Sequence, residues 1–218
     1  MTNPDLAFAA RHLAERDSVL APIIAAVGPP TLLPTPHLFA SLANSIVGQQ
    51  LSVKAAAAIR QRLVALMPDG RTVTPEGILA RSPDELRGVG LSRTKVAYLL
   101  DLAAKVRDGV VDLASVSALD DEAVIAELIQ VKGIGRWTVE MFLIFALNCL
   151  DVLPVADLGF RNALKLQYCL DHLPTPEEIR VLAEPWVPYR SIGTWYLWQS
   201  LRIAPLTAER GIRSPDTE

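Results

Sequence analysis

The sequence predicts an all-α fold of two helical subdomains with a cleft between them. Apolar residues recur at helical spacing in most stretches, and capping residues and prolines mark helix starts along the 218 residues. No stretch alternates convincingly between polar and apolar residues, and Val110-Val111 is the only weak candidate for a strand. Hydrophobic residues make up 50% of the chain, which is enough for a substantial core, and about ten helices are expected.

Helix-start signals divide the first half of the chain. Apolar spacing predicts helices over residues 4–16 and 18–27, and Thr35-Pro36 is expected to open a third helix that ends at Gly48. Ser52 is interpreted as the cap of a long helix that runs to residue 66. The later helix starts are Thr74-Pro75, the capping box of Ser82 with Glu85, and the Ser92 cap of a helix over residues 95–107.

A glycine turn between two helices is the central feature of the second half. A predicted helix over residues 121–129 leads into Gly133 and Gly135, and a helix over residues 137–147 follows at once. Glycine permits positive φ and close backbone approach, and the second helix begins with free N–H groups and a positive dipole end. A phosphate is the natural ligand there, so the segment is interpreted as a helix-hairpin-helix turn. A weaker copy of this pattern of helix, glycine turn and helix occurs at residues 85–92, and it is interpreted only as a corner between two helices.

Three more helices are predicted after the turn. Asp157 stands at the start of a helix over residues 158–167, and the capping box of Thr175 with Glu178 starts a helix to about residue 184. The last helix is expected over residues 190–203. Residues 207–218 are polar and lack periodicity, which predicts a frayed tail.

Composition excludes several classes of protein. The net charge of −3 argues against a protein that binds nucleic acid by bulk charge, although a small basic face around residues 87–107 suits contact with a few phosphates. Two cysteines, Cys149 and Cys169, are too few for a four-cysteine iron–sulfur cluster, and both are expected to be buried thiols. Neither a signal peptide nor a membrane span is evident, so a soluble intracellular protein is expected: cytoplasmic and nucleoid-associated, or nuclear in a eukaryote.

Five segments in chain order resemble one family of proteins. They are residues 45–53, 90–95, 131–138, 154–157, and 188–191 with Trp198. Together they resemble the helix-hairpin-helix (HhH-GPD) DNA glycosylases, and most closely the 3-methyladenine DNA glycosylase II (AlkA-like) group, in a short form without the N-terminal sheet domain of some members. The resemblance covers roughly residues 36–203. It implies one glycosylase domain, 1–206, in which residues 1–45 and 155–206 form one subdomain and 46–154 the other.

The resemblance implies that Asp157 is the catalytic residue. Cleavage of an N-glycosidic bond develops oxocarbenium charge on the sugar, and a nearby carboxylate stabilises that cation and orients or deprotonates a water. From the residues alone, Asp157 is equally well an ordinary helix cap, and one aspartate can serve both purposes.

Aromatic residues are implied to form the base pocket. The pocket residues taken over from the family are Trp137, Trp198, Met141 and Tyr189. An alkylated purine is cationic and binds an aromatic face favourably, by ~0.5–2 kcal/mol. Trp186 and Trp195 are instead expected to be packed in the core. Trp137 also stands where strand-cutting members of the superfamily carry a Schiff-base lysine, so the sequence resembles a monofunctional enzyme without lyase activity.

Two further segments are implied to contact DNA. The segment Gln49-Gln50-Leu51 matches the loop that fills the gap left by a flipped nucleotide, with either Gln50 or Leu51 as the wedge. The hairpin residues expected to contact DNA are Lys132, Gly133, Gly135, Arg136 and Thr138. The family also suggests a Na⁺ or K⁺ ion at the hairpin, held by the backbone carbonyls of Ile129, Val131 and Ile134; no cofactor is expected for the chemistry itself.

The sequence therefore predicts a monofunctional DNA glycosylase that flips alkylated purines, such as 3-methyladenine and 7-methylguanine, out of double-stranded DNA in base-excision repair. A monomer that does not bind membranes is expected. Three alternatives stay open: a superfamily glycosylase for oxidised or mismatched bases, a non-enzymatic helix-hairpin-helix DNA-binding module, and a purely structural helical domain.

Overall fold

The computed structural model describes residues 4–203, and within that range the chain consists of helices joined by turns and loops, with no strand. The all-α prediction is confirmed. The expected tail at residues 207–218 lies outside the described range. None of the described helices is both long enough and apolar enough to cross a membrane.

Twelve α-helices lie within residues 4–203. The first six are α1 (Pro4–Arg16), α2 (Leu20–Val27), α3 (Leu38–Gly48), α4 (Val53–Ala65), α5 (Pro75–Leu79) and α6 (Pro83–Gly88). The other six are α7 (Arg93–Arg107), α8 (Asp121–Leu128), α9 (Arg136–Phe142), α10 (Leu158–Gln167), α11 (Pro176–Leu182) and α12 (Arg190–Ser200). Short 3₁₀ helices occur at Val116–Ala118 and Glu184–Trp186, and α9 continues into a π-helical turn at Leu143–Leu147.

The chain divides into two compact units, which are described separately. The middle unit is Leu33–Asn148, and the terminal unit combines residues 4–32 with 149–203. Sequence analysis placed the first boundary near residue 45, inside α3. The helix α3 packs against α4, α7 and α9 and therefore lies wholly in the middle unit. The cleft between the units stays a prediction.

The helix α7 carries much of the core of the middle unit. It packs against α3, α5 and α6, and its buried face consists of Val96, Leu99, Leu102 and Ala103. A helix held on several sides cannot rotate without opening this core. The remaining side chains of α7 are therefore fixed relative to the elements around them.

The helix α12 has the same role in the terminal unit, where it packs against α1, α2 and α10. Its residues 191–197 are all buried. Trp186 and Trp195 are buried as well, which confirms the prediction that both are core residues. The Trp186 indole Nε1 also donates a hydrogen bond to the buried carboxylate of Asp17 (2.7 Å), so the one polar atom of that ring is satisfied.

Most of the predicted helix caps are confirmed. Ser52, Ser82, Ser92 and Thr175 each accept a hydrogen bond from a backbone N–H in the first turn of the helix that follows, and both capping boxes are complete. At the similar glycine turn within residues 85–92, the Arg62 Nε donates to the Val89 carbonyl (2.8 Å). This internal contact fits a helix–helix corner.

Two local predictions were wrong. The helix α3 begins at Leu38 and not at Pro36, because Thr35 Oγ1 accepts from the His37 N–H (3.2 Å) and caps a turn that precedes the helix. Cys169 is exposed and not buried: it follows the end of α10 in the left-handed region, with φ of 53°, so the helical spacing that predicted burial does not extend to it. Cys149 is partly buried.

Candidate functional site

The predicted hairpin turn is formed between α8 and α9. The Val131 N–H donates to the Leu128 carbonyl and the Ile134 N–H to the Val131 carbonyl, each at 3.1 Å, so two overlapping tight turns reverse the chain. Gly135 then caps α9 in an extended conformation (φ −105°, ψ 171°). The side chains of Val131 and Ile134 are buried, which anchors the turn in the middle unit.

The fold requires glycine at one of the two glycine positions of the turn and not at the other. Gly133 has φ of +80°, and a Cβ there would lie 2.0 Å from the ring of Tyr98, so both conformation and packing require glycine. Gly135 has negative φ, and a Cβ there would meet no heavy atom within 4 Å. Nothing within the described fold therefore requires glycine at position 135, and its Cα side is open to a partner.

The basic side chains of the hairpin have acidic neighbours. The Lys132 backbone N–H donates to Asp101 Oδ2 (2.9 Å), and its Nζ lies 3.7 Å from Asp101 Oδ1. Arg136 is paired with Glu122 and with Glu140, and its hydrogen bonds lower the pKa of the Glu122 carboxyl. Thr138 is only 6% exposed, so its side chain packs inside the unit and does not face outward.

The loop Gln49-Gln50-Leu51 has the geometry of a type II turn. Gln49 has φ −53° and ψ 130°, Gln50 has φ of 55°, and the Leu51 N–H donates to the Gly48 carbonyl (3.2 Å). Such a turn needs positive φ at its third residue and favours glycine there, yet glutamine occupies the position. Gln50 and Leu51 are both exposed. The loop therefore presents two large side chains on a strained backbone.

The structure links this loop to the hairpin. The Gln49 Nε2 donates to the Gly133 carbonyl (2.8 Å) across 84 residues of sequence. The two segments that were expected to contact DNA are thus adjacent within the middle unit. No local pattern in the sequence indicated this contact.

The helix α9 carries two of the residues that were expected in the base pocket, Trp137 and Met141. Trp137 is 49% exposed and Met141 is partly buried; four residues apart, they share one face of the helix. The buried residues Val139 and Phe142 hold another face in the core. A half-exposed indole on a packed helix has a surface on which a planar ligand can stack.

Asp157 caps α10, as the sequence predicted. Its Oδ1 accepts the Phe160 N–H (2.6 Å) and also the Trp198 Nε1–H (2.9 Å). Two donors on one oxygen fix the rotation of the carboxylate. The hydrogen bond from Trp198 was not anticipated, and it gives that tryptophan a positioning contact in addition to any role as a pocket wall.

Gly159 is a residue that sequence analysis missed. A Cβ there would lie 3.2 Å from Asp157 Oδ1 and 3.6 Å from Trp198 Nε1. Glycine is unusual in the first turn of a helix that already has a good cap. The sequence did carry a signal for this contact: Gly159 stands two residues after Asp157, where a larger residue would crowd the carboxylate.

The loop that carries Asp157 is anchored to the start of α12. Arg190 makes a bidentate ion pair with Asp151 (both contacts 2.8 Å), and the Val152 N–H donates to Ser191 Oγ (2.8 Å). Tyr189, expected in the base pocket, packs edge-on against the His12 ring of α1, with centroids 5.0 Å apart. Among the terminal-unit residues, the structure thus places Trp198 beside Asp157 and Tyr189 against α1.

A helical fold with a glycine hairpin, followed by an aspartate that caps the next helix, defines the helix-hairpin-helix class of DNA-repair proteins. The family model described as "HhH-GPD superfamily base excision DNA repair protein" matches residues 43–188. The chain belongs to this family. The match includes the Gln49 loop, the hairpin and Asp157.

Two similar proteins and one solved structure come from Schizosaccharomyces pombe. DNA-3-methyladenine glycosylase 1 is 36% identical over 170 residues, which are 78% of this chain and 75% of that protein. The alkylbase DNA glycosidase-like protein mag2 is 31% identical over 195 residues, 88% and 92% of the two chains. The structure of 3-methyladenine DNA glycosylase in complex with abasic DNA superposes with a TM-score of 0.81 at 33% identity, covering 90% of this chain and 98% of the other.

Proposed function

We propose that this protein is a monofunctional DNA glycosylase that removes alkylated purines, such as 3-methyladenine and 7-methylguanine, from double-stranded DNA in base-excision repair. The observation that carries the proposal is the Asp157 carboxylate, held through Oδ1 by the Phe160 N–H and the Trp198 indole. The family and the names of the similar proteins support the same activity.

The proposed chemistry needs one oriented carboxylate. The lesion nucleotide leaves the base stack, and the gap is filled by Gln50 or Leu51 from the exposed loop. As the bond from C1′ to the base lengthens, positive charge develops on the sugar and the fixed Asp157 carboxylate stabilises it. Water then adds to C1′ and gives up a proton, which leaves an abasic site and a free base. An alkylated purine leaves easily because it departs as a neutral molecule.

The preference for alkylated bases is proposed to come from Trp137 and Trp198. A cationic purine gains ~0.5–2 kcal/mol from an indole face, whereas an ordinary neutral base gains no such electrostatic attraction. Trp137 has the half-exposed position that stacking needs. Without a lysine at this position the enzyme is expected to leave the DNA strand uncut.

The hairpin is proposed to hold the DNA backbone through its main chain. Lys132 and Arg136 are engaged with Asp101, Glu122 and Glu140, so the open Cα side of Gly135 is the better candidate for close approach by a phosphate. We include in this proposal a Na⁺ or K⁺ ion on the carbonyls of Ile129, Val131 and Ile134. The Val131 carbonyl already accepts the Ile134 N–H, and its second lone pair suits a hard cation. Such an ion would supply positive charge without a basic side chain.

Identification of the released base tests the proposal. Duplex DNA treated with a methylating agent is incubated with the protein, and free bases are measured by mass spectrometry. Release of 3-methyladenine and 7-methylguanine without strand cleavage is the expected result. Release of oxidised bases alone would favour the other glycosylase class, and DNA binding with no released base would favour a non-enzymatic module.

A variant pair assigns the chemistry to one carboxylate. Asp157→Asn is expected to abolish excision while binding to an abasic-site analogue persists, because asparagine keeps the size and loses the charge. Asp171→Asn is the matched control, since Asp171 is exposed in the same unit. Near-normal excision by Asp157→Asn would remove Asp157 from the mechanism.

A further inference from the structure

One face of α7 contacts both of the segments that are proposed to meet DNA. Lys95, Tyr98 and Asp101 follow one another at intervals of three residues and therefore lie along one side of the helix. Lys95 contacts the Gln49 loop, whereas Tyr98 and Asp101 contact the hairpin turn. The helix itself is fixed by its buried opposite residues. Its position thus sets the distance between the loop and the hairpin.

Lys95 clamps the end of α3 and the start of the loop. Its Nζ donates to the Val47 carbonyl (2.8 Å) and to the Gln49 carbonyl (2.7 Å). Both acceptors are carbonyls that the end of the helix leaves without partners, and a cation is favourable at that end. The ammonium is partly buried, and burial lowers the pKa of Lys95. Because this ammonium is held out of water against two carbonyls, its role is to fix the end of α3 and the start of the loop and not to keep the protein soluble.

The hairpin is held to the same helix at two consecutive residues. Gly133 packs closely against the Tyr98 ring, and the Lys132 N–H donates to Asp101 Oδ2. The Gln49 Nε2 donates to the Gly133 carbonyl and joins the loop directly to the hairpin. Loop, hairpin and helix therefore form a closed ring of contacts within the middle unit.

We propose that Lys95 and Gln49 are positioning residues that fix the Gln50–Leu51 tip relative to the hairpin, so that one rigid element grips the backbone and fills the gap at the flipped nucleotide. This inference rests on the proposed glycosylase function. Pre-arranging the two contacts avoids the entropy cost of ordering the loop at each binding event. The positive φ of Gln50 fits this role, because a strained residue persists only where its surroundings fix it.

The contacts that Lys95 and Gln49 make with the loop and the hairpin are called the brace. Two substitutions test it, one at each of these residues. Lys95→Met keeps the aliphatic stem and removes the ammonium, and Gln49→Leu removes the link to Gly133. The matched controls are Lys165→Met and Gln61→Leu, which remove the same groups from exposed positions. Single-turnover excision, fluorescence of 2-aminopurine placed beside the lesion, and affinity for undamaged duplex are measured for each variant.

Each brace variant is expected to lose about tenfold in excision rate and in the 2-aminopurine signal, since each loses hydrogen bonds that set geometry. Affinity for undamaged duplex should fall by a much smaller factor than the excision rate, because the backbone hydrogen bonds that form the hairpin turns do not involve Lys95 or Gln49. Lys95→Arg should recover part of the lost rate. Wild-type excision in both Lys95→Met and Gln49→Leu would overturn the proposal, as would a loss of flipping and of undamaged-DNA affinity in equal proportion, which indicates simple unfolding.

The failure of the proposed function gives a different pattern. If the wild-type protein binds duplex but releases no base, the 2-aminopurine signal alone decides whether the brace positions the tip. If the wild-type protein binds no duplex at all at low salt, both proposals fall together.

Discussion

The Trp198 indole donates its Nε1–H to Oδ1 of Asp157 at 2.9 Å, across 41 residues of sequence. The same oxygen accepts the Phe160 N–H, so the capping contact and the tryptophan contact converge on one atom. The carboxylate is held from the helix start and from α12 at once. Its orientation therefore depends on tertiary packing and not on local helix geometry alone.

The Trp198 hydrogen bond is expected to matter for rate. Trp198→Phe keeps an aromatic ring and removes the donor, so excision should fall about tenfold, which corresponds to ~1.4 kcal/mol for one lost hydrogen bond to a charged group. Binding to an abasic-site analogue should change little. Single-turnover kinetics on methylated duplex gives the rate. A Phe variant as fast as wild type, beside a slow Trp198→Ala variant, would show that the ring acts only as a wall.

Substitutions at the two hairpin glycines should affect different properties, stability at Gly133 and DNA binding at Gly135. Gly133→Ala forces a Cβ into the Tyr98 ring at positive φ, and we expect it to cost ~2–4 kcal/mol of unfolding free energy. At position 135 an added Cβ meets no heavy atom within 4 Å, so Gly135→Leu should leave stability within about 1 kcal/mol while DNA affinity falls. Urea unfolding and a duplex-binding titration measure the two effects. Unchanged binding in Gly135→Leu would make the hairpin purely structural.

The positive φ of Gln50 leads us to expect that a glycine there would raise or preserve stability and lower excision activity. Gln50→Gly relieves the left-handed conformation, so the free energy of unfolding should be unchanged or higher by up to about 1 kcal/mol. Excision should nevertheless drop, because the side chain that fills the gap is gone. Thermal unfolding and excision are measured on the same preparation. If Gln50→Gly keeps full activity, Leu51 is the wedge, and Leu51→Ala should then be the slow variant.

Asp101 gives the hairpin a pH dependence. Burial opposes ionisation of this carboxyl, but hydrogen bonds from Lys105 Nζ and the Lys132 N–H outweigh it and lower the pKa. A lowered folded-state pKa contributes stability that is present above the unfolded value of about 3.9 and is lost as the pH falls through the folded value.

Asp101→Asn should therefore be less stable than wild type at pH 6, and the difference should shrink below about pH 4. Urea unfolding at several pH values follows the difference, with Asp171→Asn as an exposed control. A gap that widens toward acid would contradict the assigned direction.

Local chemistry explains what the sequence predicted well. Helix starts at Ser82 and Thr175 depend on residues three positions apart, and the position of Asp157 at the head of α10 follows from the general preference for aspartate as an N-cap. The hairpin was predictable because two glycines close together between helical patterns indicate a tight turn, and the positive φ of Gly133 needs one of them. The failure at Thr35 also has a local cause, since a threonine caps a turn as readily as it caps a helix.

Long-range contacts explain what was missed. The Gln49–Gly133 and Trp198–Asp157 hydrogen bonds join residues 84 and 41 positions apart, and no periodicity or spacing encodes such a pair. The resemblance to a family supplied the candidates Gln49 and Trp198 but not their partners. Lys95 was noted as part of a basic face and of the family-like segment at residues 90–95, whereas its role depends on two carbonyls that only the folded chain brings near.

The ion pairs of Arg136 and Lys132 bear on how the protein responds to ionic strength. A cation that already has a carboxylate beside it gains less from a phosphate and displaces fewer of the counterions that surround DNA. A plot of log affinity against log salt should then be shallow, with a slope near −2 to −3 if about three phosphates are held. Such a protein would exchange freely between duplexes at low salt and still recognise its lesion when the ionic strength rises.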